Sequence, residues 1–198
     1  MKIVGLTGSS GSGKTSAAKI FIKYGFYHLD CDKLVHNSVY KDPRVISALS
    51  LAFGKAIIEN NASVNTKKLA DIVFNSDDMY NLLIATVNPF ILEYIAREIK
   101  SCTAEYLLLD APQLFESGIF KDCDFTVAVV CDTDISVERI CKRDGITRQK
   151  AIARLKKQKP VKFYIDNCDY VIYNNKDIKY LTDNTLDVIR QITGGAND

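Results

Sequence analysis

No uninterrupted apolar run in this chain of 198 residues reaches the about 18 residues that would argue for a bilayer crossing, so a membrane partner is not expected. The six cysteines contain no C-x-x-C pair and only two histidines accompany them, which excludes a structural zinc pattern. The opening Met1-Lys2-Ile3-Val4-Gly5-Leu6-Thr7-Gly8 carries one charge and a short apolar stretch that runs into a glycine loop. It reads as a first strand and not as an export signal, so reduced thiols and a cytoplasmic location are expected. Internal repeats and low-complexity segments are missing. What is present is 47% hydrophobic and 25% charged, enough for a sizeable core and too apolar for wholesale disorder.

The formal net charge of +2 hides an asymmetry. Residues 138–162 hold ten basic side chains against Glu138 and Asp144, a net +8; the remainder, sixteen basic and twenty-two acidic, is −6. Such a stretch is either a phosphate-binding surface or a solvated helix face. No aromatic residue falls within it, so it offers no platform for stacking nucleic-acid bases, and a nucleic-acid partner is not expected.

Short apolar runs alternate with helical stretches. Strands are expected at Ile3–Thr7, Phe26–Leu29, Tyr106–Asp110, Phe125–Cys131 and Tyr170–Tyr173. Near-continuous apolar strands separated by helices describe an α/β protein with a parallel sheet covered on both faces. Helices are expected at Gly13–Tyr24, at 133–144 and 147–158 with a turn at Asp144-Gly145, and at Lys176–Ile192, with a frayed tail from Gly194. Pro160 is expected to end the third of these. Between Asp32 and Lys100 the pattern is almost wholly helical, with interruptions at Pro43, Asn60-Asn61 and Pro89. That exceeds one crossover and predicts a helical subdomain over about residues 33–100 within a single 1–198 domain.

The strongest motif is Gly8-Ser9-Ser10-Gly11-Ser12-Gly13-Lys14-Thr15, which fits G-x-x-x-x-G-K-[ST] between a strand and a helix. Glycines let backbone N–H groups converge on an anion, and the following helix adds its own free N–H groups and dipole. Lys14 supplies a mobile charge, and the Thr15 hydroxyl suits Mg²⁺. ATP or GTP with Mg²⁺ is the implied cofactor class. GTPases also need D-x-x-G, and no glycine here has Asp three residues before it; Asn175-Lys176-Asp177 brings its Asp one residue too early for N-K-x-D. The chain is too short for a large motor or helicase, which leaves a small kinase. Acids expected at strand ends complete the set. Asp32 is a candidate base, and Asp30 and Asp110 are candidate metal ligands; an extended backbone would put Asp30 and Asp32 on one side. A plain N-cap role is the alternative for Asp32, and a turn role the alternative for Asp110.

Several strings, in order along the chain, resemble the dephospho-CoA kinase family: Gly5-Leu6-Thr7-Gly8 with Gly13-Lys14-Thr15, then His28-Leu29-Asp30-Cys31-Asp32, Lys68-Leu69 with Val73-Phe74, Asn88-Pro89, and Leu109-Asp110-Ala111-Pro112-Gln113-Leu114-Phe115-Glu116-Ser117-Gly118. Arg139-(x)3-Arg143-Asp144, Arg154-(x)3-Gln158 and Asp169-Tyr170-Val171-Ile172-(x)-Asn174 follow. The resemblance implies a three-layer P-loop NTPase fold with a five-stranded parallel sheet, a helical substrate-binding insertion and a helical lid over about 139–163. It implies transfer of the ATP γ-phosphoryl group to the ribose 3′-hydroxyl of dephospho-CoA. By motif position Asp32 would be the base, Gly11, Ser12, Gly13, Lys14, Thr15 and Ser16 would cradle ATP, and Arg143, assisted by Arg139, would approach the phosphates. Thr7 resembles a position near the reacting groups. Against the family's usual pattern the chain carries Asn88, Gln113 and Tyr164, which touch acceptor contacts and not the transfer residues. The alternative is another small P-loop kinase acting on a nucleoside or small alcohol. A monomer or weak homo-oligomer is expected.

Overall fold

The computed structural model of the protein describes residues 1–59, 63–74 and 76–195. The interruption expected at Asn60-Asn61 and the tail beyond Gly195 lie outside them. Along the chain run β1 (Lys2–Thr7), α1 (Lys14–Lys23), β2 (Tyr27–Asp30), α2 (Cys31–Asn37), α3 (Pro43–Phe53), α4 (Thr66–Phe74), α5 (Asp77–Ser101), β3 (Tyr106–Asp110), β4 (Phe125–Val130), α6 (Thr133–Asp144), α7 (Arg148–Lys156), α8 (Val161–Asn167), β5 (Tyr170–Tyr173) and α9 (Ile178–Thr193). They form two compact units, Met1–Leu29 with Thr103–Asp198, and Asp30–Cys102.

The first unit is a five-stranded parallel sheet in the order β2-β3-β1-β4-β5. Its centre is pinned by Leu6 opposite Asp110 on one side and Thr7 opposite Ala128 on the other. Alternation along β4 divides the two faces. Val127 and Val129 join Val4, Leu6, Phe21 and Ile189 in one cluster, while Ala128 and Val130 pack on Tyr164 of α8. α9 reaches the first cluster because Leu181, Thr185, Val188, Ile189 and Ile192 recur at helical spacing and are all buried. Phe21, fully buried on α1, contributes about 2–3 kcal/mol by burial alone. At the start of β4, Asp169 ties β4 to β5: its carboxylate accepts from the Thr126 backbone N–H at 2.8 Å and hydroxyl at 2.7 Å. α6 ends at Gly145, whose φ of 63° supplies the left-handed turn into α7. Those two helices share a small core of Val137, Ile140 and Ala151.

α8 has no counterpart among the expected elements. Pro160 ends nothing; it is the N-cap of α8, where a residue lacking an N–H costs no helical bond. Tyr164 thereby fills a core position, and burial pushes its hydroxyl up to about 12.

The second unit is helical, around Val39, Val45, Leu49, Ile57, Leu69 and Val87. Side chains begin its helices: Asp42 accepts from Arg44 N at 2.8 Å before α3, and Ser76 from Met79 N at 3.3 Å before α5. Hydrogen bonds from Arg44 hold the Asp42 carboxyl down at about 2. Pro43 starts α3, as its fixed φ favours. Pro89 does not interrupt. α5 runs through it for 25 residues, losing one backbone bond in a helix long enough to keep the rest. α5 is also, by length and mean hydropathy, the one described helix that matches a membrane span. Its apolar Val87, Phe90, Ile91 and Tyr94 join the core of this unit against α3 and α4.

Candidate active site

β1 ends in the fully buried Thr7, whose hydroxyl donates to the Pro112 carbonyl at 3.3 Å. The chain then turns through Gly8-Ser9-Ser10-Gly11-Ser12-Gly13. Gly11 and Gly13 have φ of 80° and 97°, conformations that a side chain rarely adopts. Space forbids one as well. A Cβ at Gly11 would lie 2.7 Å from the Ser136 carbonyl oxygen, and one at Gly13 would lie 2.1 Å from Asn174 Nδ2. The Asn174 side chain fills that space to donate to the Ser12 carbonyl at 2.7 Å, and its own N–H donates to the Val130 carbonyl at 2.8 Å. The loop is thus wedged between α6 and the end of β5.

α1 begins at Gly13 without a side-chain cap, unlike α2, α3, α5, α7 and α9. Its leading N–H groups are left for an anion. Lys14, at its first position, pairs with Asp110, and His28 Nε2 lies 3.3 Å from the other Asp110 oxygen. Asp110 ends β3 beside β1 and is 6% exposed, so the Lys14 ammonium compensates a nearly buried charge. Thr15 is exposed on the first turn of α1, and Ser16 N donates to the Gly13 carbonyl at 2.9 Å. Ser12 Oγ and Arg139 Nη1 are buried without a hydrogen-bond partner. Buried polar groups are nearly always satisfied, so one orphan in the loop and one on α6 fit a missing polar ligand. Arg139 Nη2 reaches Asn174 Oδ1 at 3.4 Å.

The α6–α7 arm carries most of the basic stretch. Arg143 grips Asp144 with two N–H groups, at 2.7 and 3.0 Å, and Arg154 binds the same carboxylate. Hydrogen bonds from Arg143, then from Arg154, hold the Asp144 carboxyl down at about 2. Arg148 pairs with Asp134. Two contacts join this arm to the loop. Gln158 Oε1 accepts from Ser10 N at 2.9 Å, and Arg143 Nη2 lies 3.5 Å from Ser10 Oγ.

The acids after β2 correct the expected geometry. α2 starts at Cys31, directly after the strand, so Asp30 and Asp32 do not share one side of an extended backbone. Asp30 is the N-cap: Oδ1 accepts from Lys33 N at 3.0 Å and Oδ2 pairs with Lys33 Nζ at 3.0 Å. Asp30 is thus the capping residue of α2, and the capping role open to Asp32 is already filled. Asp32 is exposed in the first turn of α2. Asn174, Gln158 and His28 were visible in the sequence only as members of matching strings. Their positions gave no sign that they support the loop and Asp110.

A family model described as dephospho-CoA kinase matches residues 2–180. The dephospho-CoA kinase of Aquifex aeolicus is 32% identical over 194 residues, covering 98% of each chain. That of Fusobacterium nucleatum is 32% identical over 179 residues, covering 90% of this chain and 92% of its own. Among solved structures, a Thermus thermophilus protein superposes with a TM-score of 0.83 at 25% identity, over 96% of this chain and 97% of its own. The fold is also similar to that of a shikimate kinase from Bacteroides thetaiotaomicron, with a TM-score of 0.56 at 13% identity over 98% of each chain. A phosphate loop of this build, matched along nearly the whole chain, places the protein: it belongs to the dephospho-CoA kinase family of P-loop phosphotransferases.

Proposed function

We propose that the protein transfers the γ-phosphoryl group of ATP to the ribose 3′-hydroxyl of dephospho-CoA, giving coenzyme A and ADP. The observation that carries this reading is the loop wedged by Ser136 and Asn174, with Lys14 at its exit, in a chain that matches the family over residues 2–180.

The backbone from Gly11 to Ser16 takes the phosphates of ATP, with the leading N–H groups of α1 aimed at them. Lys14 exchanges Asp110 for phosphate oxygen and follows the group in transfer, as a compact charge on a flexible stem can. Mg²⁺, when bound, neutralises charge on the β- and γ-phosphates. Thr15 and Asp110 offer it oxygen donors, which a hard cation prefers, and an ion that keeps several waters needs no protein cage. Asp32 accepts the proton of the 3′-hydroxyl; Asp30 holds the helix start that carries it. Arg143 and Arg139 lie on the arm and stabilise the charge developing on the phosphates, so the stretch 139–163 acts as a lid. Thr7 donates to Pro112 and so supports the turn after β3, and its hydroxyl oxygen stays at the start of the phosphate loop, near the reacting groups. Arginines clamped by Asp144 suit a small polyanion, and nothing in this reading calls for a nucleic-acid or membrane partner. The protein would work in the cytoplasm as a monomer or weak homo-oligomer.

The test is acceptor dependence. ATP consumption should require dephospho-CoA, and the product should carry its new phosphate on the 3′-oxygen. An ATPase rate indifferent to dephospho-CoA and raised by nucleosides would overturn the assignment.

A further inference from the structure

Ser10 is the one residue of the phosphate loop gripped from the arm by two different side chains. Its N–H donates to Gln158 Oε1 at 2.9 Å, and its hydroxyl lies 3.5 Å from Arg143 Nη2. Gln158 is exposed, in the turn after α7, and its own N–H donates to the Leu155 carbonyl. A cleft of about 230 Å³ opens alongside, lined by Ser9, Ser136, Ile152, Leu155 and Pro160. The α6 half of the arm packs directly on Gly11 through Ser136 and Ile140, whereas the end of α7 reaches the loop beside this cleft through a polar contact. The chemistry of the bridge is selective. An N–H of a phosphate loop needs an acceptor, but a carboxylate there would oppose the charge of a bound triphosphate. A side-chain amide gives an acceptor oxygen without the charge.

We propose that Gln158 is a positioning residue: its amide oxygen on the Ser10 N–H registers the arm on the phosphate loop, so that bound ATP is shielded from water until the acceptor reacts. This rests on the kinase reading above, because shielding matters only where water competes with an acceptor hydroxyl. It gives Gln158 no contact with reacting atoms. The arginines on the arm do their work only if the arm sits in register.

The experiment compares wild type with Gln158→Ala, Gln158→Asn and Gln158→Glu. Melting temperatures establish that each is folded. The first readout needs neither substrate. Trypsin cleavage after Lys156 and Lys157, both exposed and neither followed by proline, reports how firmly the arm rests on the loop. Loss of one hydrogen bond should speed it about fivefold to tenfold in Ala, and in Asn, which is one methylene too short; Glu, which keeps the reach, should restore resistance. The second readout is kinetic. Ala and Asn should lose about tenfold in kcat and release a larger share of ATP as free phosphate, with KM for dephospho-CoA unchanged. Glu should instead raise KM for ATP, more so at low ionic strength. Unaltered trypsin resistance and an unaltered hydrolysis share in Ala would overturn the proposal, as would a Glu variant no more resistant to trypsin than Ala. If no variant, wild type included, phosphorylates dephospho-CoA, the acceptor reading fails while the trypsin series still decides the role of Gln158.

Discussion

Between Gly8 and Thr15, place is set by exclusion: the backbone follows the one path that Val129, Ser136 and Asn174 leave open, and a single added carbon has nowhere to go. Between Arg139 and Gln158, a small core of Val137, Ile140 and Ala151 is supplemented by charge: Asp144 gathers Arg143 and Arg154, Asp134 takes Arg148, and Gln158 and Arg143 reach Ser10 of the loop. The proposed function gives both regions the same class of ligand. The difference teaches that the loop is preorganised by sterics and tolerates no change of shape, whereas the arm adds to its small core a set of exposed ion pairs, each worth little and together adjustable by salt and pH.

The widest effect belongs to the acid that neither region contains, and it sets the scale for both. Asp32→Asn should lose on the order of 10²–10⁴-fold in turnover while equilibrium binding of ATP is kept. A near-normal rate would take Asp32 out of the reaction. Next comes the loop. Gly13→Ala puts a Cβ at φ 97° and 2.1 Å from Asn174 Nδ2. A cost of about 2 kcal/mol from strain should lower the melting temperature by roughly 4–8 °C. Stabilisation by added ATP should vanish with it, and a Gly13→Ala protein that still gains stability from ATP would break the steric half of the comparison.

The arm should give less. The folded Asp144 carboxyl titrates at about 2, below its ordinary 3.8, because Arg143 and Arg154 hydrogen-bond to the charged form. Its stabilising effect is therefore present above about pH 4 and is lost as pH falls toward about 2. Acid unfolding followed by circular dichroism should separate wild type from Asp144→Asn at pH 5 and above, and the two curves should merge near pH 2. Smallest is Arg148→Ala, which removes an exposed partner of the 80%-exposed Asp134 and should shift stability by under about 0.5 kcal/mol. A larger loss on thermal melting would mean that the pair supports the arm as the Asp144 clamp does.

Much of this contrast was open to reading in one dimension. Most of the strands are near-continuous apolar runs, so their places and the parallel sheet follow from pattern, and the glycine-lysine spacing of the loop has few other uses. What escaped reading was polar and distant. Asn174 meets Ser12 across 162 residues, Gln158 meets Ser10 across 148, and His28 meets Asp110 across 82. A lone amide or imidazole has no periodicity to betray which backbone it serves. The acids after β2 failed for a local reason. A strand that passes directly into a helix converts a two-residue spacing from the same side to nearly opposite sides, and one capping bond from Asp30 decides it. α8, seven residues behind a proline, was too short to show a helical repeat.

The sheet order has a consequence for how the chain is made. β1 has β3 and β4 as its neighbours, so Lys2 waits for Tyr106 and Val4 waits for Phe125. At roughly 5–20 residues per second of synthesis, that is a delay of about 5–20 s in which an apolar strand and the glycine loop behind it have no partners. Meanwhile Asp30–Cys102, contiguous in sequence, has emerged whole and can bury its own core. The residues proposed to hold phosphate leave the ribosome well before the strands that give them their shape.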